Sequence, residues 1–278
     1  NRIIQDWYRY NGMRPNEGKI LLTEYLTRIL ERVYKYQIAY KTMLYDMEDK
    51  QLFSPSNGGY IYISKLYSTI GVLGYYEAAK FLGYKTNNNK PYKKFLAEIF
   101  GCIKDGNKKH SVHDSKRPII FNTEAVPGEN LAVKLYKADK KDGYMVPENQ
   151  NLYNCYFYNP WNETSVLDKI KLHGSDVCKY LGGGQACHIN LDSHLTKEQY
   201  LKLLDIAMEN GTNYFTFNIP MSECADCGHV VNAPIEECPI CHSKHIKTWT
   251  RIIGYLTCVD NWSKDRQIEQ KQRVYLNE

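Results

Sequence analysis

Cys224-Ala225-Asp226-Cys227, Cys238-Pro239-Ile240-Cys241 and, just beyond them, Arg251-Ile252-Ile253-Gly254-Tyr255-Leu256 decide how this chain is read. Two Cys-x-x-Cys knuckles this close together supply four thiolates, the donor set of a tetrahedral zinc site with Zn–S distances of ~2.3 Å. With Cys224, Cys227, Cys238 and Cys241 filling every position, the metal would be structural and would have no open site for Lewis-acid chemistry. Such modules gain roughly 10–16 kcal/mol from the metal, so this segment is expected to need zinc to fold. His229, His242 and His245 lie near enough in sequence to replace a cysteine. Gly254, taken alone, reads as a turn or bulge in a strand over residues 245–256.

Working back from the knuckles, strands and helices alternate, which predicts an α/β fold. Residues 214–219 read as a strand delivering the chain to Pro220. Thr196 caps a helix over 198–208 that ends near Gly211. Residues 186–192, containing His188, read as a strand. Gly182-Gly183-Gly184 reads as a sharp turn, because it lacks the Lys-Ser/Thr of a phosphate-binding loop. Residues 164–173 are helical and 152–158 strand-like. A strand over 118–123 leads through the loop 124–130 into a helix over 131–137. That loop faces a helix N-terminus, a place for phosphate, although Glu124 and Glu129 carry the wrong charge for direct contact. Residues 104–116 read as a polar loop, preceded by a helix that Pro91 starts and that runs through Phe95, Ile99 and Cys102. A helix closed by Gly83 is expected within 67–83, with Gly71 and Gly74 each costing it ~1 kcal/mol. Residues 60–63 read as a short strand. Residues 19–47 form a long amphipathic helix with Leu22, Leu26, Ile29, Leu30, Val33, Ile38 and Leu44 facing inward.

The 278 residues suffice for one large α/β domain or two small ones. Lys and Arg number 36 against 31 Asp and Glu, a surplus of +5 that suits anionic nucleotides but does not by itself point to nucleic acid. The 24 tyrosines fit half-buried strands and helix faces. No apolar run is long enough to span a bilayer, so no membrane partner is expected. Nine cysteines, four in metal spacing, fit a reducing, cytoplasmic setting better than a disulfide scaffold. The chain opens at Asn1 without a methionine, and it is expected to be part of something longer.

Three stretches carry a family resemblance. The segment Arg251 to Leu256 resembles the radical-bearing loop of glycyl radical enzymes, with an arginine and a Gly-Tyr at this spacing. With the cysteine pairs just upstream, it resembles the C-terminal portion of anaerobic (class III) ribonucleoside-triphosphate reductases. Tyr67-Ser68-Thr69-Ile70-Gly71 through Gly83 is similar to a second, distant segment of that family, and the strand-loop-helix beginning at Pro118 to a third. The resemblance implies the C-terminal part of a ten-stranded α/β barrel of the glycyl radical enzyme type over residues 1–221. A small zinc-binding and glycyl radical domain would follow over 222–278. It implies a radical on Gly254, made by an activase that carries an iron–sulfur cluster and S-adenosylmethionine. A cysteine thiyl radical would then remove the ribose 3′ hydrogen of a ribonucleoside triphosphate, the 2′ hydroxyl would leave, and formate or a thiol system would supply reducing equivalents. A homodimer and a missing N-terminal half are implied as partners. None of Cys102, Cys155, Cys178 and Cys187 matches the family's thiyl-cysteine loop, and the regulatory ATP-binding domain has no counterpart here. Cys258 reads as a buried small thiol.

Other readings stand beside this one. A pyruvate formate-lyase relative would share the radical loop but not the zinc site before it. A zinc-ribbon nucleic-acid module would use Lys244, Lys247, Arg251 and Trp249. An inactive scaffold would keep only the fold.

Overall fold

The computed structural model describes residues 1–13, 18–162, 164–185, 187–252 and 254–276. Ile253, in the radical-loop motif, and Ala186, first in the expected strand over 186–192, lie outside the described residues.

Helices build the first layer. α1 (Arg2–Tyr10) precedes α2 (Leu22–Asp49), the long amphipathic helix expected from its periodicity. Leu22, Leu26 and Leu30 are buried as predicted, and Tyr34 and Tyr45 extend the same face. Burial of side chains of this size contributes ~1.5–3 kcal/mol each. The Tyr34 hydroxyl reaches Asn107 Oδ1 at 2.8 Å and the Ile103 carbonyl at 3.0 Å, which ties α2 to the helix that carries both residues. After a short helix, α3 (Ser54–Asn57), residues 60–63 form no strand. Ile63 opens a 3-10 turn (Ile63–Lys65) whose backbone is held from α2, where buried Lys41 donates to the carbonyls of Ile63 and Leu66. A lysine takes the place of a ladder neighbour.

β1 (Ser68–Val72) is itself the Ser-Thr-Ile-Gly segment, so Gly71 lies in a strand and not in a helix. Gly74, at φ +73°, stands at the N-cap of α4 (Tyr75–Phe81), and Gly83, at φ +82°, follows its C-cap. α5 (Lys90–His110) starts at Pro91 as expected but runs through the first half of the predicted loop over 104–116. Ile103 and Asn107 keep its buried face going, and Lys108, Lys109 and His110 suit the negative end of the helix dipole. The polar composition there is a solvated helix face.

β2 (Phe121–Ala125) pairs in parallel with β1, Ser68 opposite Phe121 and Val72 opposite Ala125. α6 (Glu129–Lys141) follows. On the other edge of β2, the glycine triplet does more than turn. Gly183 donates to the Thr123 carbonyl at 2.8 Å and Ala125 to the Gly184 carbonyl at 3.1 Å. A Cβ on Gly183 would stand 3.0 Å from that Thr123 oxygen, so this approach requires glycine. After α7 (Val166–Leu172) and α8 (Ser175–Cys178), β3 (Cys187–Asn190) and β4 (Phe215–Asn218) form a second parallel pair connected through α9 (Lys197–Asn210). Thr196 and Gln199 make the full capping box of α9, and Gly211 ends it.

Residues 152–158 alternate like a strand yet join no ladder, although all are buried. Side chains replace the partner strand. The Cys155 and Phe157 carbonyls accept the hydroxyls of Tyr75 and Tyr92, at 2.9 and 3.0 Å. Asn154 takes the N–H of Tyr156 at 3.0 Å and donates to its carbonyl at 3.0 Å. The N–H of Asn154 itself donates to Glu77 at 2.8 Å. Buried backbone groups must be paired, and here tyrosines and a carboxylate do it.

The chain then enters an antiparallel sheet of β5 (Met221–Cys224), β6 (Val230–Val231), β7 (Ile246–Arg251) and β8 (Leu256–Cys258), in the order β6-β5-β7-β8. α10 (Lys264–Gln272) closes it, and Leu276 returns to bridge Leu191 beside β3.

Candidate metal centre and glycine hairpin

The four cysteines converge. β5 ends on Cys224, the following turn carries Cys227, and the next loop brings Cys238 and Cys241 back against them. Their sulfurs all lie within 4.8 Å of one another, with Cys224–Cys241 at 3.5 Å and Cys227–Cys238 at 3.6 Å. A tetrahedron with ~2.3 Å bonds has edges of about 3.8 Å, so this donor set fits a metal such as zinc. The backbone N–H groups of Cys227 and Asp226 hold the Cys224 thiol well below its usual range, and those of Cys241 and Ile240 lower Cys238. Donors aimed at sulfur thus favour the thiolate at Cys224 and Cys238. At Cys227 and Cys241 the backbone N–H groups of His229 and Ser243 are outweighed by the neighbouring thiols and burial, which raise both thiols. His242 pairs with Glu237 and His245 with Asp226, and neither belongs to the group of converging ligand atoms.

Gly254 sits in the turn between β7 and β8, exposed, with nothing within 4 Å of where a Cβ would stand. The expected strand over 245–256 is thus two strands and a turn. The entry to the turn is held from below. Arg273 donates to the Arg251 carbonyl at 2.7 Å and to the Ile252 carbonyl at 3.2 Å, and the Tyr156 hydroxyl reaches the Ile252 carbonyl at 2.9 Å. Glu269 grips Arg273 through both oxygens, at 2.8 and 3.0 Å, and lies 3.5 Å from Arg266. Burial pulls Arg273 down, but the Glu269 carboxylate outweighs it and holds this guanidinium above its ordinary value. Tyr156, Glu269 and Arg273 were invisible as site residues in the sequence. Glu269 lies on α10 and Arg273 is its C-cap residue, four apart, a spacing that ordinarily marks a solvent-exposed ion pair.

The remaining candidates are dispersed. Cys155 is buried and accepts from the Gly128 N–H at 3.3 Å, Cys187 lies within β3, Cys178 beside Gln185, and Cys102 near Thr27 Oγ1 at 3.3 Å. Burial pushes Cys178 and Cys187 up to about 12. Cys258 is buried, as expected of a small structural thiol. Two of the four groups that a nucleic-acid ribbon would use are engaged within the sheet, since Trp249 donates to Glu223 at 2.7 Å and Lys247 faces the same carboxylate at 3.9 Å.

Parallel strand pairs joined through helices, followed by four converging cysteines and a glycine hairpin, define an α/β protein whose C-terminal cysteine cluster could hold a metal ion. A family model described as anaerobic ribonucleoside-triphosphate reductase matches residues 12–276. The chain belongs to that family. A solved anaerobic ribonucleotide reductase is similar over 100% of this chain and 44% of its own, at 25% identity and a TM-score of 0.83. The anaerobic ribonucleotide reductase from Thermotoga maritima with glycerol in its active site is similar over 96% of this chain and 43% of its own, at 25% identity and a TM-score of 0.79. The same enzyme in complex with dATP and CTP, 24% identical over 96% of this chain and 43% of its own with a TM-score of 0.79, shares the fold. The chain therefore spans less than half the length of these solved reductases. No curated protein matches it. Among the described residues, no helix is long and apolar enough to cross a membrane.

Proposed function

We propose that this chain supplies the glycyl radical and the structural zinc centre for anaerobic reduction of ribonucleoside triphosphates to deoxyribonucleoside triphosphates. Residues 1–221 act as part of the catalytic barrel and 222–278 as the zinc and radical domain. The observation that carries the reading is Gly254 in an exposed turn whose strand β7 is also paired to β5, the strand that ends on Cys224. An exposed glycine with open space where a Cβ would stand is accessible to an activase carrying an iron–sulfur cluster and S-adenosylmethionine, which removes one hydrogen atom from it. Cys224, Cys227, Cys238 and Cys241 would hold zinc, which supplies rigidity and no reaction step. The remainder of the barrel, a ribonucleoside triphosphate, formate or a thiol reductant, and a second copy of the reductase complete the system in the cytoplasm.

The test is anaerobic incubation of the assembled reductase with activase, S-adenosylmethionine and a reductant. The expected result is the electron paramagnetic resonance doublet of a glycyl radical, absent in Gly254→Ala, with cleavage of the wild-type chain at Gly254 once oxygen is admitted. A zinc-loaded, folded reductase that gives no doublet would sink the reading.

A further inference from the structure

Among the described residues of the turn that carries Gly254, Ile252 packs against the buried cluster of Tyr153, Cys155 and Tyr156. Gly254 and Tyr255 are exposed, and an added Cβ on Gly254 would touch nothing. Its position is therefore set by what holds the two strands on either side. On the entry side, three hydrogen bonds fall on two consecutive carbonyls, from Arg273 onto Arg251 and Ile252 and from Tyr156 onto Ile252. On the exit side, Trp262 donates to Thr257 Oγ1 of β8 at 2.7 Å, and the Arg273 guanidinium lies 5.4 Å from the centre of the Trp262 ring. One guanidinium thus reaches the entry side directly and the exit side only through Trp262.

That guanidinium is fixed in turn. Glu269 binds it through two oxygens, and Arg266, beside the same carboxylate, donates to the Glu129 carbonyl at 2.8 and 3.3 Å. Arg266, Glu269 and Arg273 are all buried. Two guanidinium groups against one carboxylate leave a surplus positive charge away from water. Burying a charge is expensive unless it is hydrogen-bonded, and the carbonyls of Glu129, Arg251 and Ile252 meet that need. The arrangement is a specific one, since a hydrophobic trio of similar volume would fill the space without aiming any donor at the turn.

We propose that Tyr156, Glu269 and Arg273 are positioning residues that fix the Gly254 turn against the barrel at the distance radical transfer requires. This rests on Gly254 being the radical carrier. Transfer of a hydrogen atom is sensitive to placement, and a misplacement of ~1 Å can cost ~100-fold. The same network ends at Glu129, the first residue of α6, so the turn and the start of that helix share one anchor.

The experiment compares Tyr156→Phe and Arg273→Lys with wild type in the assembled, zinc-loaded reductase. Before activation, amide hydrogen exchange is read over residues 250–258. After activation, the doublet is integrated and nucleotide reduction is expressed per radical. Faster exchange is expected in both variants, with zinc content unchanged. Turnover per radical should fall roughly tenfold in Tyr156→Phe, which loses one hydrogen bond, and about 100-fold in Arg273→Lys, which loses the fork that binds carbonyls and carboxylate together. KM for the nucleotide should stay as in wild type. Should Arg273→Lys fail to fold, Tyr156→Phe decides alone. A wild-type doublet with unchanged exchange or unchanged turnover per radical in the variants overturns the clamp and leaves the radical reading standing. A wild type without a doublet overturns the radical reading, and the clamp's catalytic role with it.

Discussion

Two buried titratable side chains illustrate how much single residues contribute beyond the candidate site. His173 donates from Nδ1 to the Lys169 carbonyl at 2.7 Å, stacks on Phe157 and leaves Nε2 without a hydrogen bond, so burial lowers its pKa to about 4. Glu77 is raised to about 7 by burial, against the N–H of Asn154 and the amide of Gln150, which favour its charged form. The two work in opposite directions. The neutral His173 contributes stability above its ordinary 6.5 that is lost as pH falls toward 4. Protonated Glu77 contributes stability below its ordinary 4.5 that is lost as pH rises toward 7. Between these values the slopes offset one another. Urea midpoints measured from pH 4.5 to 7 should climb more steeply with pH in Glu77→Gln than in wild type, and should fall with pH in His173→Leu. At the metal centre, Cys227→Ser should abolish stoichiometric zinc, read by elemental analysis of the purified protein. The convergence of the four cysteines and the turn at Gly254 were legible because ligand spacing and a missing side chain are written in the sequence itself. Glu77, His173 and Tyr156 owe their character to burial among distant segments, which no local spacing records.

Elements whose causes are local were read correctly, and α9 is the clearest. Thr196, Gln199 and Gly211 fix both of its ends within the sequence they occupy. Thr196→Ala should lower stability by ~1 kcal/mol in chemical denaturation, because it leaves the Gln199 N–H unpaired. The polar second half of α5 was misread as a loop because its buried contacts, Ile103 and Asn107, are sparse and meet α2. The glycine triplet was read as a turn for the same reason. Its partner is β2, some sixty residues earlier. Gly183→Ala would bring a methyl to 3.0 Å from the Thr123 oxygen, and the expected cost is ~1–3 kcal/mol with faster amide exchange at Ala125.

Across the whole molecule, the antiparallel sheet with its thiolates and the helix-covered parallel pairs have different sources of stability. Strong chelation should therefore release amide protection over residues 221–251 while α5 keeps its own, a difference that exchange mass spectrometry resolves by segment. Loss of protection everywhere at once would count against a separately stabilised module. The α/β class was legible from alternation, whereas the segment over 152–158 shows what alternation cannot tell. A strand in a ladder can slide by two residues and meet equivalent neighbours. Here Cys155 and Phe157 are each met by a different tyrosine from a different helix, and Asn154 answers to Glu77. Each of these two carbonyls has its own address. The chain passing beneath the glycine hairpin is consequently keyed in a single register, and Tyr156 can arrive at Ile252 in only one way.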